Sequence, residues 1–186
     1  MSSQTPAPRL APLTWPRAFA GFYRADAVTG LDPVARFLYS ARSVILVISV
    51  QAAAIAGLLA LRAHRFDAGD FVLLVVGLVL AHAVSNLSND VFGFRRGHDT
   101  AASPRRTYTV HPLVGGALSM RELLTGLAVL CAGCLAIAGY VVASRGLPAL
   151  GFVLAGALLL WAYDAAPVTL KGLALGELAS FLVWGR

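Results

Sequence analysis

Charge is scarce in this sequence: Asp, Glu, Lys and Arg make up 13% of its 186 residues, while 58% are hydrophobic. A soluble domain needs about a quarter of its residues charged and is only about half apolar, so these proportions exclude an ordinary water-exposed globule and fit lipid as the solvent. Cysteine is scarce too. Cys131 and Cys134 form the one C-x-x-C pair, in mid-run between Leu130 and Ile137. Structural zinc takes four ligands, and redox pairs of this kind sit at exposed helix starts, so these two read as packing residues. The N-terminus does not read as a secretory signal. Pro6, Pro8, Pro12, Pro16 and Pro33 and scattered arginines interrupt residues 1–40, and no apolar core there precedes a small-residue cleavage site. The net charge of +6 is spread between apolar runs rather than gathered in a basic stripe with interleaved aromatics, which excludes a nucleic-acid partner.

Long apolar runs are what the sequence does have. Ser43–Leu61, Phe71–Ser85, Leu123–Ser144 and Leu147–Tyr163 are free or nearly free of charge, and the helical pattern of the second continues through Asn86 to Phe94. A bilayer core takes about 20 helical residues, about 17 at the low end. Backbone groups cannot go unpaired in lipid, and barrel strands would be shorter and alternating, so the runs predict an all-α, polytopic transmembrane helix bundle. A fifth apolar stretch starts near Leu173 and reaches Trp184. A span beginning there would be cut after about half a crossing, with Arg186 at membrane depth, and the chain therefore reads as the N-terminal part of a longer protein. The organisation expected is a cytosolic, interfacial lead over 1–40 and a membrane domain over 41–186. Within the lead, Thr14-Trp15-Pro16-Arg17 and Phe19-Ala20-Gly21-Phe22-Tyr23-Arg24 mix aromatics with arginine as interfacial segments do.

Orientation follows from the basic residues. Eleven lie in the lead, in the loop after the second run, and at Lys171; Arg62, Arg65 and Arg145 lie on the other side. The positive-inside rule then puts the N-terminus and the second loop in the cytosol. Arginine-rich, lysine-poor usage points to a bacterium of high GC content, and so to its plasma membrane.

The second run ends in a polar face. His82, Asn86, Asn89, Asp90 and Gly93 share one side of a helix, because residues three or four apart stack, and Arg95, Arg96, His98 and Asp99 follow. Polar groups at membrane depth are costly unless they pair or serve a site. Carboxylate and amide oxygens suit magnesium, which binds through one or two carboxylates and fills its shell with phosphate oxygens and water; arginine forks match phosphate. Spacing leaves two readings open: half of a diphosphate–magnesium site, or a solvated helix end facing lipid headgroups. His82 could meet a second substrate or act as a base, but a lone membrane histidine more often bonds to a neighbouring helix.

Three blocks of residues carry a resemblance. Asn86-x-x-Asn89-Asp90 with Arg96-Gly97-His98-Asp99-Thr100 resembles the first aspartate-rich motif of the UbiA superfamily of intramembrane prenyltransferases, and is most similar to its 1,4-dihydroxy-2-naphthoate (menaquinone-pathway) branch. His111-Pro112-Leu113-Val114-Gly115-Gly116 through Arg121-Glu122 resembles the loop before the third helix. Tyr163-Asp164-Ala165-Ala166-Pro167, then Leu170-Lys171-Gly172 through Glu177, resembles the end of the fourth helix and the approach to the fifth. The resemblance implies magnesium-dependent transfer of a prenyl chain from a polyprenyl diphosphate to an aromatic, quinone-precursor-like acceptor within membrane lipid. It implies Asp90 and Asp99 as metal ligands, with Asn86 as a neutral ligand or an orienter. It further implies Asn89, Arg95 and Arg96 as substrate-binding residues, and Tyr163 and Lys171 as aids to the cation or the diphosphate. Two departures stand out. Gly93 occupies a position where the motif normally has another aspartate, and the second aspartate-rich motif would lie beyond Arg186. Both favour a rival reading, a non-catalytic membrane remnant of the fold. The D-G…A-R…G…D…D series of CDP-alcohol phosphotransferases is missing, as is the repeated pair of Gly/Pro-broken helices of a transporter.

Overall fold

A computed structural model describes residues 10–21, 25–100 and 110–165, and beyond them 167, 169–170, 172–173, 175–178 and 181. Every regular element among them is helical. A 3-10 turn at Pro12–Thr14 leads into α1 (Trp15–Phe19), and a second at Ala25–Gly30 precedes α2 (Pro33–Ser40). A third, Ser43–Leu46, runs into α3 (Val47–Arg62), followed by α4 (Ala68–Arg95), α5 (Met120–Arg145) and α6 (Leu147–Asp164). Four helices are long and apolar enough to cross a membrane: Ser43–Arg62, Ala68–Arg95, Met120–Arg145 and Leu147–Asp164, of 20, 28, 26 and 18 residues. These are the four spans the apolar runs predict, with α4 extended past its apolar stretch as its pattern requires. The fifth apolar stretch is described only at scattered positions, and Lys171, Arg105, Arg106 and Arg186 lie outside the described residues.

Local chemistry sets the helix ends. Asp32 caps α2, with Oδ1 accepting from the amides of Val34 (3.0 Å) and Ala35 (3.2 Å), and Pro33 supplies a first residue that needs no partner for its nitrogen. Asp67 caps α4 by accepting from the Asp70 amide at 2.8 Å. Ser119 and Glu122 form a reciprocal capping box on α5: the Ser119 amide donates to Glu122 Oε2 (2.7 Å) and the Glu122 amide to Ser119 Oγ (3.2 Å). Pro148 sits in the first turn of α6, which begins at Leu147 directly after Gly146, whose φ of 75° turns the chain.

Helix α4 is the hub, packing against α3, α5 and α6. The spans are not buried along their length: Leu135 on α5 and Phe152 on α6 are 72% and 80% exposed, as lipid-facing residues are. The core lies at the end of the bundle where α4 finishes. Ala41, Leu87, Val91, Leu118 and Leu123 form it, with Phe37, Leu113, Leu127 and Leu130 packed around them. Phe37 seats on Gly126, where any Cβ would come within 2.2 Å of the ring; a small residue is what permits so close an approach in a membrane bundle. A smaller cluster of Val28, Val110 and Ala117 under Tyr39 joins the lead to the loop before α5.

The described part of the lead is thus built into the bundle. Arg36 on α2 donates to the Ala117 carbonyl (3.0 Å) and to Glu122 Oε1 (3.2 Å), and Asp32 accepts from Trp15 Nε1 (3.1 Å) and Thr14 Oγ1 (3.1 Å). Burial alone would raise the Asp32 carboxyl, but the donors from Ala35, Trp15, Thr14 and Val34 outweigh it and hold the group below its ordinary range. The mixed aromatic and basic composition that suggests an interfacial segment is the same composition that lets it anchor here.

Candidate functional site

The buried end of α4 holds the site, and its polar ladder begins inside the span. His82 Nδ1 lies 2.9 Å from Ser49 Oγ on α3, the bond to a neighbouring helix that a lone membrane histidine favours. One turn on, the Asn86 carboxamide donates to the Ala41 carbonyl (3.0 Å) and accepts from Arg42 Nη1 (3.4 Å). One further turn on, Asp90 has no exposed surface and pairs through Oδ1 with Arg42. Arg42 holds this position with a left-handed backbone, φ 53° and ψ 47°, immediately before the apolar run. Such a conformation costs a non-glycine residue about 1–3 kcal/mol and persists where its surroundings over-determine it. Here the determinants are Asn86 and Asp90.

The chain beyond α4 folds back over the helix. Gly97, φ 71°, lets its amide donate to the Phe94 carbonyl (3.1 Å) while the His98 amide reaches the Gly93 carbonyl (3.0 Å), the double bond that closes a helix through a left-handed glycine. The Asp99 amide also points to that carbonyl, at 3.3 Å. The result is that the Asp99 carboxylate lies on Gly93: a Cβ there would fall 2.0 Å from Asp99 Oδ2.

His111 completes the cluster from the loop before α5. Its Nδ1 accepts from the amides of Leu113 (3.2 Å) and Val114 (3.3 Å), so the ring proton belongs on Nε2. Nε2 in turn faces Asp99 Oδ2 at 3.3 Å and Asp90 Oδ1 at 3.9 Å. Two carboxylates 9 positions apart in sequence therefore approach one imidazole nitrogen. Asp99 Oδ2 is buried and meets no hydrogen bond of good geometry among the described residues.

A cleft of about 140 Å³ opens beside this cluster, lined by Asn89, Phe92, Gly93, Arg96, His98 and Asp164 among others. Arg96 crosses its edge, donating to the Asp164 carbonyl at 2.6 Å with the Phe92 ring beneath its guanidinium, and so ties the end of α4 to the end of α6. Arg95 is exposed. Tyr163 is half-buried on α6, within electrostatic range of Arg42. Of the residues singled out from sequence, Asp90, Asp99 and Asn86 thus gather around Arg42 and His111, while Asn89 and Arg96 line the adjoining cleft. Lys171 falls outside the described residues.

The donor set can be tested against magnesium. Among the described residues no group of three or more His, Cys, Asp or Glu side chains is arranged to hold a metal, so an all-protein cage is missing. Magnesium asks for less: one or two carboxylates, with phosphate and water oxygens for the rest. Two adjacent carboxylates, one with a buried oxygen lacking a hydrogen bond, beside a cleft that carries Asn89 and Arg96, fit that demand. Asn86 is committed to Arg42 and Ala41 and orients rather than offers its oxygen.

Sequence reasoning passed over two members of the cluster. Arg42 enters it only as one of eleven positive charges, yet a basic residue directly before one span stands at the same depth as the polar end of the next, and that signal was available. His111 is legible only as part of a loop, because nothing local says that its ring turns back towards α4.

No solved structure matches the chain. The UbiA domain-containing protein 1 of Dictyostelium discoideum, a UbiA prenyltransferase domain protein by name, is 32% identical over 150 residues, covering 75% of this chain. The chain spans 43% of that relative's length, less than half. The UbiA prenyltransferase family model matches residues 50–185, from within α3 through the polar end of α4, the His111 loop and α6. By that match, the chain belongs to the UbiA prenyltransferase family.

Proposed function

We propose that this chain carries the diphosphate-binding side of a membrane prenyltransferase that moves a prenyl chain from a polyprenyl diphosphate to an aromatic, quinone-precursor-like acceptor. The observation that supports it is the polar cluster at the end of α4: two carboxylates, an imidazole and two arginines gathered in a bundle that is otherwise apolar. The N-terminus and the 95–121 loop face the cytosol in this reading, since eleven basic residues lie on their side of the membrane and three on the other.

Transfer requires the allylic C–O bond to break, with its electron pair leaving on the diphosphate. A carbon–carbon bond to the acceptor ring then forms and a ring proton departs. Arg96 at the cleft, and the exposed Arg95 next to it in sequence, would grip phosphate oxygens with forked donors. Asp90 and Asp99 would hold magnesium, which neutralises charge on the departing diphosphate when bound. Arg42, itself held by Asn86, pairs with Asp90 and orients it. By resemblance, Tyr163 at the end of α6 is assigned to the cationic prenyl carbon, which an aromatic ring can stabilise, and Lys171 to the diphosphate. The apolar walls of α4, α5 and α6 exclude the water that would otherwise capture that carbon. The resemblance of the α4 motif to the 1,4-dihydroxy-2-naphthoate branch is what supports an acceptor of the quinone-precursor class.

Membranes carrying the protein are expected to consume a polyprenyl diphosphate only when magnesium is supplied. In Asp90→Ala, inserted to the same level, turnover should fall by about 100-fold or more, the scale of losing an electrostatic group aimed at developing charge. Unchanged turnover in that variant would remove the assignment.

A further inference from the structure

Both groups that close on Asp90 trace back to the lead. Arg42 reaches Asp90 Oδ1 from just past the end of α2, and His111 Nε2 faces that same oxygen at 3.9 Å from the loop before α5. That loop is a compact unit. The amides of Leu113 and Val114 donate to His111 Nδ1, the Gly115 amide donates to the His111 carbonyl (2.8 Å), and the Leu118 amide donates to the Pro112 carbonyl (3.0 Å). Gly115 is packed so closely that a Cβ there would lie 2.3 Å from Val110 Cγ1 and 2.9 Å from the His111 carbonyl oxygen. A unit tied in this way carries the His111 ring wherever its ends are held.

The lead holds both ends. Val110 and Ala117 are buried against Val28, which has no exposed surface, with Tyr39 of α2 packed over them. Arg36 donates to the Ala117 carbonyl at 3.0 Å and to Glu122 Oε1 at 3.2 Å, so its fork joins the end of the loop to the capping box that starts α5. Arg42 stands 6 positions further on.

We infer that Arg36 is a positioning residue of the site: by pinning the 110–118 loop to α2, it fixes where His111 stands against Asp90 and Asp99, while the same helix delivers Arg42. The inference rests on the metal–diphosphate reading of the cluster and deepens it. A charged donor on a buried carbonyl shifts a local equilibrium by about 10- to 100-fold, enough to keep the loop in one position. The lead is then a working part of the site.

Two measurements on the purified full chain in detergent test this. The first is hydrogen exchange over residues 110–118, which needs no ligand. In Arg36→Ala, exchange there should quicken by about 10-fold or more, while that of α6 stays as before. The second is manganese affinity, read by electron paramagnetic resonance with inorganic pyrophosphate present. Arg36→Ala should weaken it by about 10-fold, the lower end of the cost of disturbing what orients a metal ligand. Arg36→Lys, which keeps a charged donor for the Ala117 carbonyl, should recover most of both effects. Glu122→Gln, which breaks the ion pair and leaves that donor in place, should change the affinity by less than about 3-fold. In a His111→Ala background, Arg36→Ala should weaken binding no further. Leu130→Ala, which thins the neighbouring core on α5, controls for general loosening and should leave manganese affinity unchanged at a temperature where the chain stays folded.

Unchanged exchange in Arg36→Ala would overturn the inference, as would an equal loss of affinity with and without His111. An equal loss in Leu130→Ala would overturn it too, because loosening alone would then be the cause. Where Arg36→Ala does not fold, Arg36→Met, which keeps the stem and loses the donors, gives the same readings. If the unaltered chain binds neither manganese nor pyrophosphate, the metal–diphosphate reading falls, and the exchange measurement still decides whether Arg36 holds the loop.

Discussion

The two ends of α4 each carry an arginine–aspartate pair, and they differ in everything but chemistry. At the start, Asp70 pairs with Arg145 from the end of α5, with side chains 48% and 57% exposed. At the finish, Asp90 pairs with Arg42, just before the Ser43–Leu46 turn that leads into α3, with side chains 0% and 22% exposed. The first is a solvated staple between neighbouring helices; the second is wrapped by Asn86, His111 and the apolar cluster around Leu87 and Val91. Water and ions screen the first pair, so holding two long side chains together there gains little. The second is screened far less, and taking Arg42 away leaves Asp90, which has no exposed surface, where water cannot solvate it. Burial, not the residue types, decides which pair belongs to a site.

The largest effect should come from breaking the buried pair. Arg42→Ala is expected to destabilise the bundle by about 3–5 kcal/mol, the cost of leaving one buried charge uncompensated. Thermal unfolding in a fixed detergent measures it, and a change under about 1 kcal/mol would make the two ends equivalent. Next comes the apolar packing around that pair. Leu87 is fully buried, and Leu87→Ala should cost about 2–5 kcal/mol, whereas Leu135→Ala, on the 72% exposed lipid-facing side, should change stability by less than about 0.5 kcal/mol. Equal losses at the two leucines would show that the core is not concentrated at the site end.

A smaller effect attaches to Asp32, which ties the lead to α2. Asp32→Ala removes an N-cap and should cost about 0.5–2 kcal/mol at neutral pH. The folded carboxyl is held below its ordinary value of 3.8, so the stability it contributes is complete above that value and is lost as pH falls through the folded value. The gap between the variant and the unaltered chain, followed from pH 7 downwards, should stay constant to about pH 5 and close only in strong acid; a gap that widens on acidification would reverse the sign. The smallest effect belongs to the exposed pair. Asp70→Ala should shift stability by less than about 1 kcal/mol, and by less still in high salt.

The fold was legible because its determinants are local. An apolar run long enough to span must be a helix, and the stops at Gly97 and Gly146 and the start at the Ser119–Glu122 box are set within a few residues. The helix-borne half of the site was legible for the same reason, since Asn86, Asn89 and Asp90 recur at the helical period. Arg42 and His111 were not, because their partners lie 48 and 21 positions away from them at Asp90. The lead hid its role too, for a proline-rich stretch with scattered arginines says nothing about the Ala117 carbonyl that Arg36 reaches, 81 positions on.

The amino-acid sequence by itself determined that this chain is a bundle of membrane helices with one polar helix end, since composition and period leave lipid no other structure to accept. Only the tertiary structure decided that Arg42 and His111 close on Asp90 and that Asp99 comes to rest on Gly93. Those contacts join residues from separate elements, and no local preference encodes the distance between two helices or the direction in which a loop returns.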